Sequence, residues 1–379
     1  MPPDNAAARF PWRDLLRGAR WVFAAFIASR LIISAAILLS RLIMVRADWW
    51  HPGGLLSVLT QWDGDLWYLE IARNGYFYST TQPSPMPFFP FYPILVRGMS
   101  FLFHDFRVAG VITSHLCLLA AGLCLNALIN LDYRDQRVNR AAVMFLMFSP
   151  MGIFFSSTYS ESTFLMLAIG SFLAARKENW LLACFLGMCL SATRQVGLLI
   201  TLPLFIEYLR QTWRPGGGLR PLLHPRILLL GLVPLGLVFY MLFSYVKFQD
   251  PLAFLHAAAV WNRTLSSPWQ TLSTLPTYHI FHQWLFMGAL GAALALTLLG
   301  IFFRVRSSYL VFMGLLTAVY LCSATLEALP RYLSVEFPLY LILGLVAARF
   351  RWTYEPMLAS SVALLILCTV LSANGYWMT

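Results

Sequence analysis

Charge is what this sequence has least of. Only 11% of its 379 residues are Asp, Glu, Lys or Arg, while 59% are hydrophobic and the mean hydropathy is +0.68. Soluble domains carry about 25% charged residues, so this composition excludes a soluble globular chain and points to an integral membrane protein. The bilayer then sets the architecture, and one helical domain over residues 1–379 is expected rather than several soluble ones. No cysteine stands in a polar loop: Cys117, Cys124, Cys184, Cys189, Cys322 and Cys368 all fall in apolar segments. That argues against a zinc site or a disulfide framework and for small apolar packing. Gly216-Gly217-Gly218 lacks the Lys and Ser/Thr of a phosphate loop and reads as a linker. No internal repeat is evident, which weighs against a transporter built from inverted repeats.

What charge there is has a bias. The net charge is +11. A basic chain can mean nucleic acid, but these cations sit at the ends of hydrophobic segments, as membrane topology requires, and no nucleic-acid partner is expected. The first apolar segment, Trp21–Val45, is too long for a signal-peptide core and contains Arg30 and Arg41. Arg9, Arg13, Arg17 and Arg20 precede it and place the N-terminus in the cytoplasm. Successive apolar segments begin at Val108, Ala141, Thr163, Trp180, Val196, Ile227, Trp284, Tyr309, Val335 and Met357. With the first they make about eleven transmembrane helices, N-terminus inside and C-terminus outside. By this alternation inner loops hold 17 of the 27 Lys and Arg residues and outer segments hold eight. Ala141–Phe155 and Thr163–Ala175 are short of the roughly 20 residues of a straight span, so broken helices are expected around Ser156–Ser162. Arg30, deep in the first span, should turn into the protein interior; snorkelling is the alternative.

The organising stretch is Gln61-Trp62-Asp63-Gly64-Asp65-Leu66-Trp67-Tyr68. It lies in an extracytoplasmic first loop, residues 46–107, expected to carry short amphipathic helices: one from Asp63 or Asp65 as cap to Asn74-Gly75, another over Phe91–His104. Asp63 and Asp65 are two apart and would not share a helix face. Glu161, Arg194 and Arg331 stand on the same side of the membrane. A carboxylate facing cations suits transfer from an anionic lipid donor: the carboxylate removes a proton from a hydroxyl, and the cation stabilises a leaving phosphate. Capping for the aspartates, and topology or snorkelling for the arginines, are equally open readings of composition alone. Asn262-Arg263-Thr264 is a glycosylation sequon, meaningful only in a eukaryotic secretory membrane.

The pattern Trp62-Asp63-Gly64, Trp67-Tyr68, Ile71-Ala72, Gly75-Tyr76 and Phe88-Phe89-Pro90-Phe91-Tyr92-Pro93 resembles the GPI mannosyltransferase II (PIG-V-like) family and its bacterial relatives. So do Ser149-Pro150, Tyr159-Ser160-Glu161-Ser162, Ala192-Thr193-Arg194 and Pro330-Arg331-Tyr332, in the expected order. The resemblance implies an all-α GT-C-like bundle that moves mannose, with inversion, from a polyprenyl-phosphate-linked donor to a lipid or glycolipid acceptor. It implies no nucleotide sugar and leaves open whether a divalent metal takes part; no metal ligands are assigned. Carried over residue by residue, Asp63 is the general base and Asp65 a supporting acid, with Trp62, Trp67, Tyr68, Glu161, Arg194 and Arg331 as substrate-binding candidates. Compact outer loops favour a bacterial-type relative in the inner membrane; a eukaryotic one would lie in the endoplasmic reticulum. A polytopic transporter and a non-catalytic subunit of a glycolipid-processing complex are the competing readings.

The charge bias makes a topological prediction. A cysteine placed at Ser79 should label from the extracytoplasmic side and one at Gly217 only from the cytoplasm. Labelling of both from one side would overturn the eleven-span alternation.

Overall fold

The structure is a computed structural model that describes residues 18–43, 53–213 and 225–376. Arg9, Arg13, Arg17, Arg214, Arg220 and the Gly216–Gly218 linker lie outside the described residues. The described residues are almost entirely helical, with one isolated β-bridge between Leu265 and Ser323. Helix α1 spans Ala19–Ile43, followed by α2 (Leu55–Thr60), a π-helical turn over Gly64–Leu69 and α3 (Glu70–Asn74). Then come α4 (Phe91–Phe103), α5 (Phe106–Asp132), α6 (Gln136–Met147), α7 (Gly152–Ser156), α8 (Glu161–Arg176) and α9 (Trp180–Ser191). A 3₁₀ turn over Gln195–Ile200 leads into α10 (Thr201–Thr212). The second half has a 3₁₀ segment over Pro225–Leu232, α11 (Leu235–Phe248), α12 (Ala253–Ala259), α13 (Pro268–Ser273), α14 (Ile280–Phe302), α15 (Ser307–Leu321), α16 (Leu329–Leu333), α17 (Pro338–Arg349) and α18 (Tyr354–Ala373).

This is a multi-pass membrane architecture, but the helices are less uniform than eleven equal spans. Among the described residues four helices, α1, α5, α14 and the segment Arg351–Ala373, are long and apolar enough to cross a bilayer. A fifth crossing is possible if Pro225–Leu232 and Leu235–Phe248 act as one span bent by 44°. The other expected spans are shorter helices or broken ones. Pro150 and Pro234 interrupt two of them, because a proline cannot donate to the helical ladder and disfavours helical geometry just before it.

Sequence period explains which faces meet. On α1 the buried residues Val22, Ala25, Ser29, Ile33, Ala36, Ile37 and Ser40 recur every three or four positions, and Ile27, Leu31, Leu38 and Leu42 are exposed on the other side. In a bilayer that apolar outer face is solvated by lipid tails. Helix α5 lies at the centre, packed along α8. It buries Ala109, Gly110, Thr113, Ser114, Cys117, Ala121 and Gly122, the small residues that let membrane helices approach closely. The amphipathic piece expected over Phe91–His104 is α4. It buries Tyr92, Pro93, Val96 and Ser100 and exposes Ile94, Phe101 and Leu102.

Arg30 does turn inward. Its guanidinium donates to the Ser156 hydroxyl at 2.5 Å and to the carbonyls of Met147 and Gly152 at 3.0 and 3.3 Å. Those carbonyls flank the break between α6 and α7, so the deep arginine satisfies backbone acceptors near the helix interruption. At the far end of α5, Asp132 accepts from Arg176 at 2.6 Å and Arg306 at 3.0 Å, and Glu207 accepts from Arg306 at 3.1 Å. Arg176 and Arg306 are thus partly neutralised members of a four-charge network tying α5, α8 and α10 to the start of α15.

Arg30→Leu should destabilise the protein by about 2–4 kcal/mol, because it strands buried acceptors. Ser156→Ala should cost only about 1 kcal/mol. Unfolding midpoints in detergent check both; a snorkelling Arg30 would leave the Leu variant unchanged.

Candidate active site

The chain enters the site through a constrained turn. Gln61 donates from its side chain to the carbonyl and hydroxyl of Ser372 at 2.9 and 3.1 Å, pinning the turn to α18. Trp62 follows with φ 59°, a left-handed conformation rare for a bulky residue and one that costs strain. The π turn Gly64–Leu69 comes next, and such turns concentrate at functional sites. Gly64 is required here by space. A Cβ at that position would come 2.1 Å from the Thr158 hydroxyl oxygen, on the segment linking α7 and α8.

This turn separates the two aspartates. Neither caps a helix as expected: Asp63 precedes the π turn in helical conformation and makes no side-chain capping bond. Instead it accepts from Arg331 at 3.3 Å, with 13% of its side chain exposed. Asp65 faces the other way. It pairs with Arg73 at 3.3 Å and Arg107 at 3.6 Å and is 37% exposed. Screening leaves such a half-exposed pair worth little.

Behind Asp63 the charges form a chain. Arg331, on α16, also reaches Glu161 at 3.4 Å. Glu161 opens α8, is fully buried, and accepts from Arg194 at 2.5 Å. Arg194 sits at the turn after α9 and donates to Ser160 at 3.1 Å. Ser160 in turn hydrogen-bonds the Tyr68 hydroxyl at 2.8 Å. Burial pushes the Tyr68 phenol up to about 12, so it stays neutral in the network. The structure therefore gathers Asp63, Glu161, Arg194, Arg331 and Tyr68, drawn from residues 63 to 331, and leaves Asp65 outside. Trp67 stacks on Phe88 with ring centres 5.7 Å apart and meets Trp261 edge-on at 5.6 Å, forming an aromatic wall.

Three residues join this group that sequence reasoning did not assign to it: Ser160, Tyr332 and Arg263. The Tyr332 ring is approached by Arg194 at 5.0 Å, Arg331 at 5.1 Å and Arg263 at 5.3 Å. Burial opposes ionisation of the Tyr332 phenol, yet the three guanidiniums, Arg263 foremost, outweigh it and lower the pKa below the usual tyrosine value. Three cations thus face two acids, an excess of positive charge in a largely buried place. Among the described residues, Arg194 Nη1 and the Trp261 indole nitrogen are buried without a hydrogen-bond partner. The signal for Arg263 was present in the sequence: an outer cation running against the positive-inside bias. No group of three or more His, Cys, Asp or Glu side chains suited to a metal ion occurs among the described residues.

Comparison with known proteins places this geometry in a class. The chain shares its fold with the crystal structure of ArnT from Cupriavidus metallidurans bound to undecaprenyl phosphate. The TM-score is 0.57 at 12% identity, over 93% of this chain and 76% of that one. The fold is therefore the GT-C-like helical bundle. The family resemblance is found independently: the model of the mannosyltransferase (PIG-V) family matches residues 34–211, which include Asp63, Glu161 and Arg194. GPI mannosyltransferase 2 of Drosophila pseudoobscura pseudoobscura is 31% identical over 121 residues, 29% of this chain and 25% of the relative. That of Drosophila melanogaster is 31% identical over 151 residues, 35% of this chain and 32% of the relative. The matched stretches span about a quarter to a third of the length of these curated relatives.

Gly64→Ala should destabilise by about 1–3 kcal/mol through overpacking. Thr158→Ala in the same chain should restore most of the loss, since the hydroxyl is the nearest obstacle. Unfolding midpoints of the single and double variants measure this coupling.

Proposed function

We propose that this protein transfers a mannosyl residue from a polyprenyl-phosphate-linked donor to a hydroxyl of a lipid or glycolipid acceptor, with inversion, at the extracytoplasmic membrane face. The observation that carries the reading is the partly exposed Asp63 carboxylate set beside three guanidiniums that outnumber the acids facing them. The lipid phosphate bound in the ArnT structure and the mannosyltransferase relatives support the class of donor and the sugar.

In this reading Asp63 takes the proton of the acceptor hydroxyl. The acceptor oxygen bonds to the sugar's anomeric carbon as the bond from that carbon to the phosphate oxygen breaks. The polyprenyl phosphate leaves with the bonding electrons. Arg263, Arg194 and Arg331 stabilise the charge it gains, and they do so strongly because the site is largely shielded from water. Arg194 Nη1 and the Trp261 indole N–H, buried and unpartnered among the described residues, are donors available to phosphate and sugar. Glu161 holds Arg194 and Arg331 in place and is a positioning residue. Trp62, Trp67 and Tyr68 shape the wall against which the sugar rests. Asp65, paired with Arg73 and Arg107, supports the turn rather than the chemistry.

Asp63→Asn should keep fold and membrane expression, while turnover of polyprenyl-phosphate mannose falls about 10²–10⁴-fold. Asp65→Asn should lose much less. Arg263→Ala should weaken use of the donor about tenfold or more, the scale of a lost charge-assisted contact. Product mass and turnover with a lipid extract check all three. An active Asp63→Asn protein would remove the base assignment, and absence of mannosylated product with the unaltered protein would favour a transporter or a non-catalytic subunit.

A further inference from the structure

The three cations of the site are not held alike. Arg331 directs Nη1 to Asp63 at 3.3 Å and Nε to Glu161 at 3.4 Å. Arg194 gives Nη2 to Glu161 and Nε to Ser160, and keeps Nη1 buried without a hydrogen-bond partner among the described residues. Arg263 is placed by other means. Its amide donates to the Ala258 carbonyl at 3.1 Å, and the chain just after it pairs with the segment after α15. There the Ala324 amide donates to the Thr264 carbonyl at 3.0 Å and the Ser266 amide to the Cys322 carbonyl at 2.8 Å. These bonds fix the backbone of Arg263. Its guanidinium lies 5.3 Å from the centre of the Tyr332 ring.

The kind of partner matters for an anion. A carboxylate occupies N–H donors and cancels charge. An aromatic face attracts a guanidinium through the ring's quadrupole and leaves the N–H groups free to turn to a ligand. Tyr332 is itself well located. It stacks on Tyr320 with ring centres 5.0 Å apart and planes 25° from parallel, and Arg331 Nη2 donates to its hydroxyl at 3.5 Å. The Arg194 guanidinium lies 5.0 Å from the same ring. One ring thus gathers Arg263 and the arginine that has an unpartnered nitrogen. The Tyr332 phenol registers the same proximity: burial opposes its ionisation, and Arg263 is foremost among the charges that outweigh burial.

We infer that Tyr332 is a positioning residue for the donor: its ring holds the Arg263 guanidinium beside Arg194 Nη1, and these two groups grip the phosphate of a lipid-linked donor. Arg331 stays with Asp63 and Glu161 and contributes its charge without direct contact. The inference rests on the reading of this site as one that takes a lipid phosphate, and deepens it by assigning the phosphate's partners.

The test is binding of undecaprenyl phosphate to the purified full chain in detergent, followed by native mass spectrometry, beside turnover of polyprenyl-phosphate mannose. Tyr332→Phe keeps the ring and should bind within about threefold of the unaltered protein. A ring-fluorinated phenylalanine in place of Tyr332 keeps the shape but weakens the quadrupole, and should bind roughly three- to tenfold more weakly than Tyr332→Phe. In an Arg263→Ala background the two rings should bind alike, because the guanidinium they differ in holding is gone. Unchanged unfolding midpoints verify that the ring variants share one fold. Equal binding of the two rings with Arg263 present, a fluorine effect that persists in Arg263→Ala, or no binding of undecaprenyl phosphate by the unaltered protein would overturn the inference. Coupled binding as expected, with no mannosylated product from the unaltered protein, would support the inference and overturn the reaction proposed above.

Discussion

The ion-pair chain from Asp63 through Arg331 and Glu161 to Arg194 is the constraint on which the site depends. Moving charges out of water is expensive, and these four side chains retain at most 13% exposure. They are tolerable only because each faces an opposite charge, and removing Glu161 would leave Arg194 buried without its carboxylate, whereas Arg331 keeps Glu161 when the Asp63 charge is removed. That requirement binds together the π turn after Trp62, the start of α8, the turn after α9 and the short helix α16. Four pieces of backbone irregularity converge where the charges meet. Irregular backbone is permitted inside a membrane protein only against other protein or a wet cavity.

The same logic operates twice more along the bundle. Among the described residues Arg30 has no acid beside it and instead satisfies carbonyls next to the interruption between α6 and α7. Asp132, Glu207, Arg176 and Arg306 close a second network at the far end, joined by the Tyr309 and Ser308 hydroxyls at 2.7 and 3.1 Å. Between these polar knots the packing is done by small residues on α5 and by aromatic pairs such as Phe172 against Phe312 and Phe337. Rigidity at both ends gives the Asp63 turn a fixed platform, which a reaction dependent on placing one carboxylate near one hydroxyl requires.

The turn around Asp63 shows how little separates a structural aspartate from a functional one. Asp63 and Asp65 are two residues apart, yet one enters the shielded charge cluster and the other pairs at the half-exposed end of α5. The left-handed Trp62 and the close approach of Gly64 to Thr158 set that difference. An extended α-helix starting at Asp63 would have turned its carboxylate to the helix N-terminus as a cap. The π turn leaves it facing Arg331.

Hydropathy and charge placement in the sequence determined the membrane class, the helical fold and the inward turn of Arg30, because solvation costs are large and act residue by residue. The order of motifs also singled out Asp63, Glu161, Arg194 and Arg331. Tertiary structure alone decided that these four meet, that Asp65 stands apart, and that Arg263 and Tyr332 join them. Those facts rest on contacts between residues up to 268 positions apart, which no local pattern encodes. It also decided the uneven helix lengths. Hydropathy registers how apolar a segment is but not that Pro234 breaks the one from Ile227, since a break is stable only when neighbouring helices satisfy the backbone groups it frees.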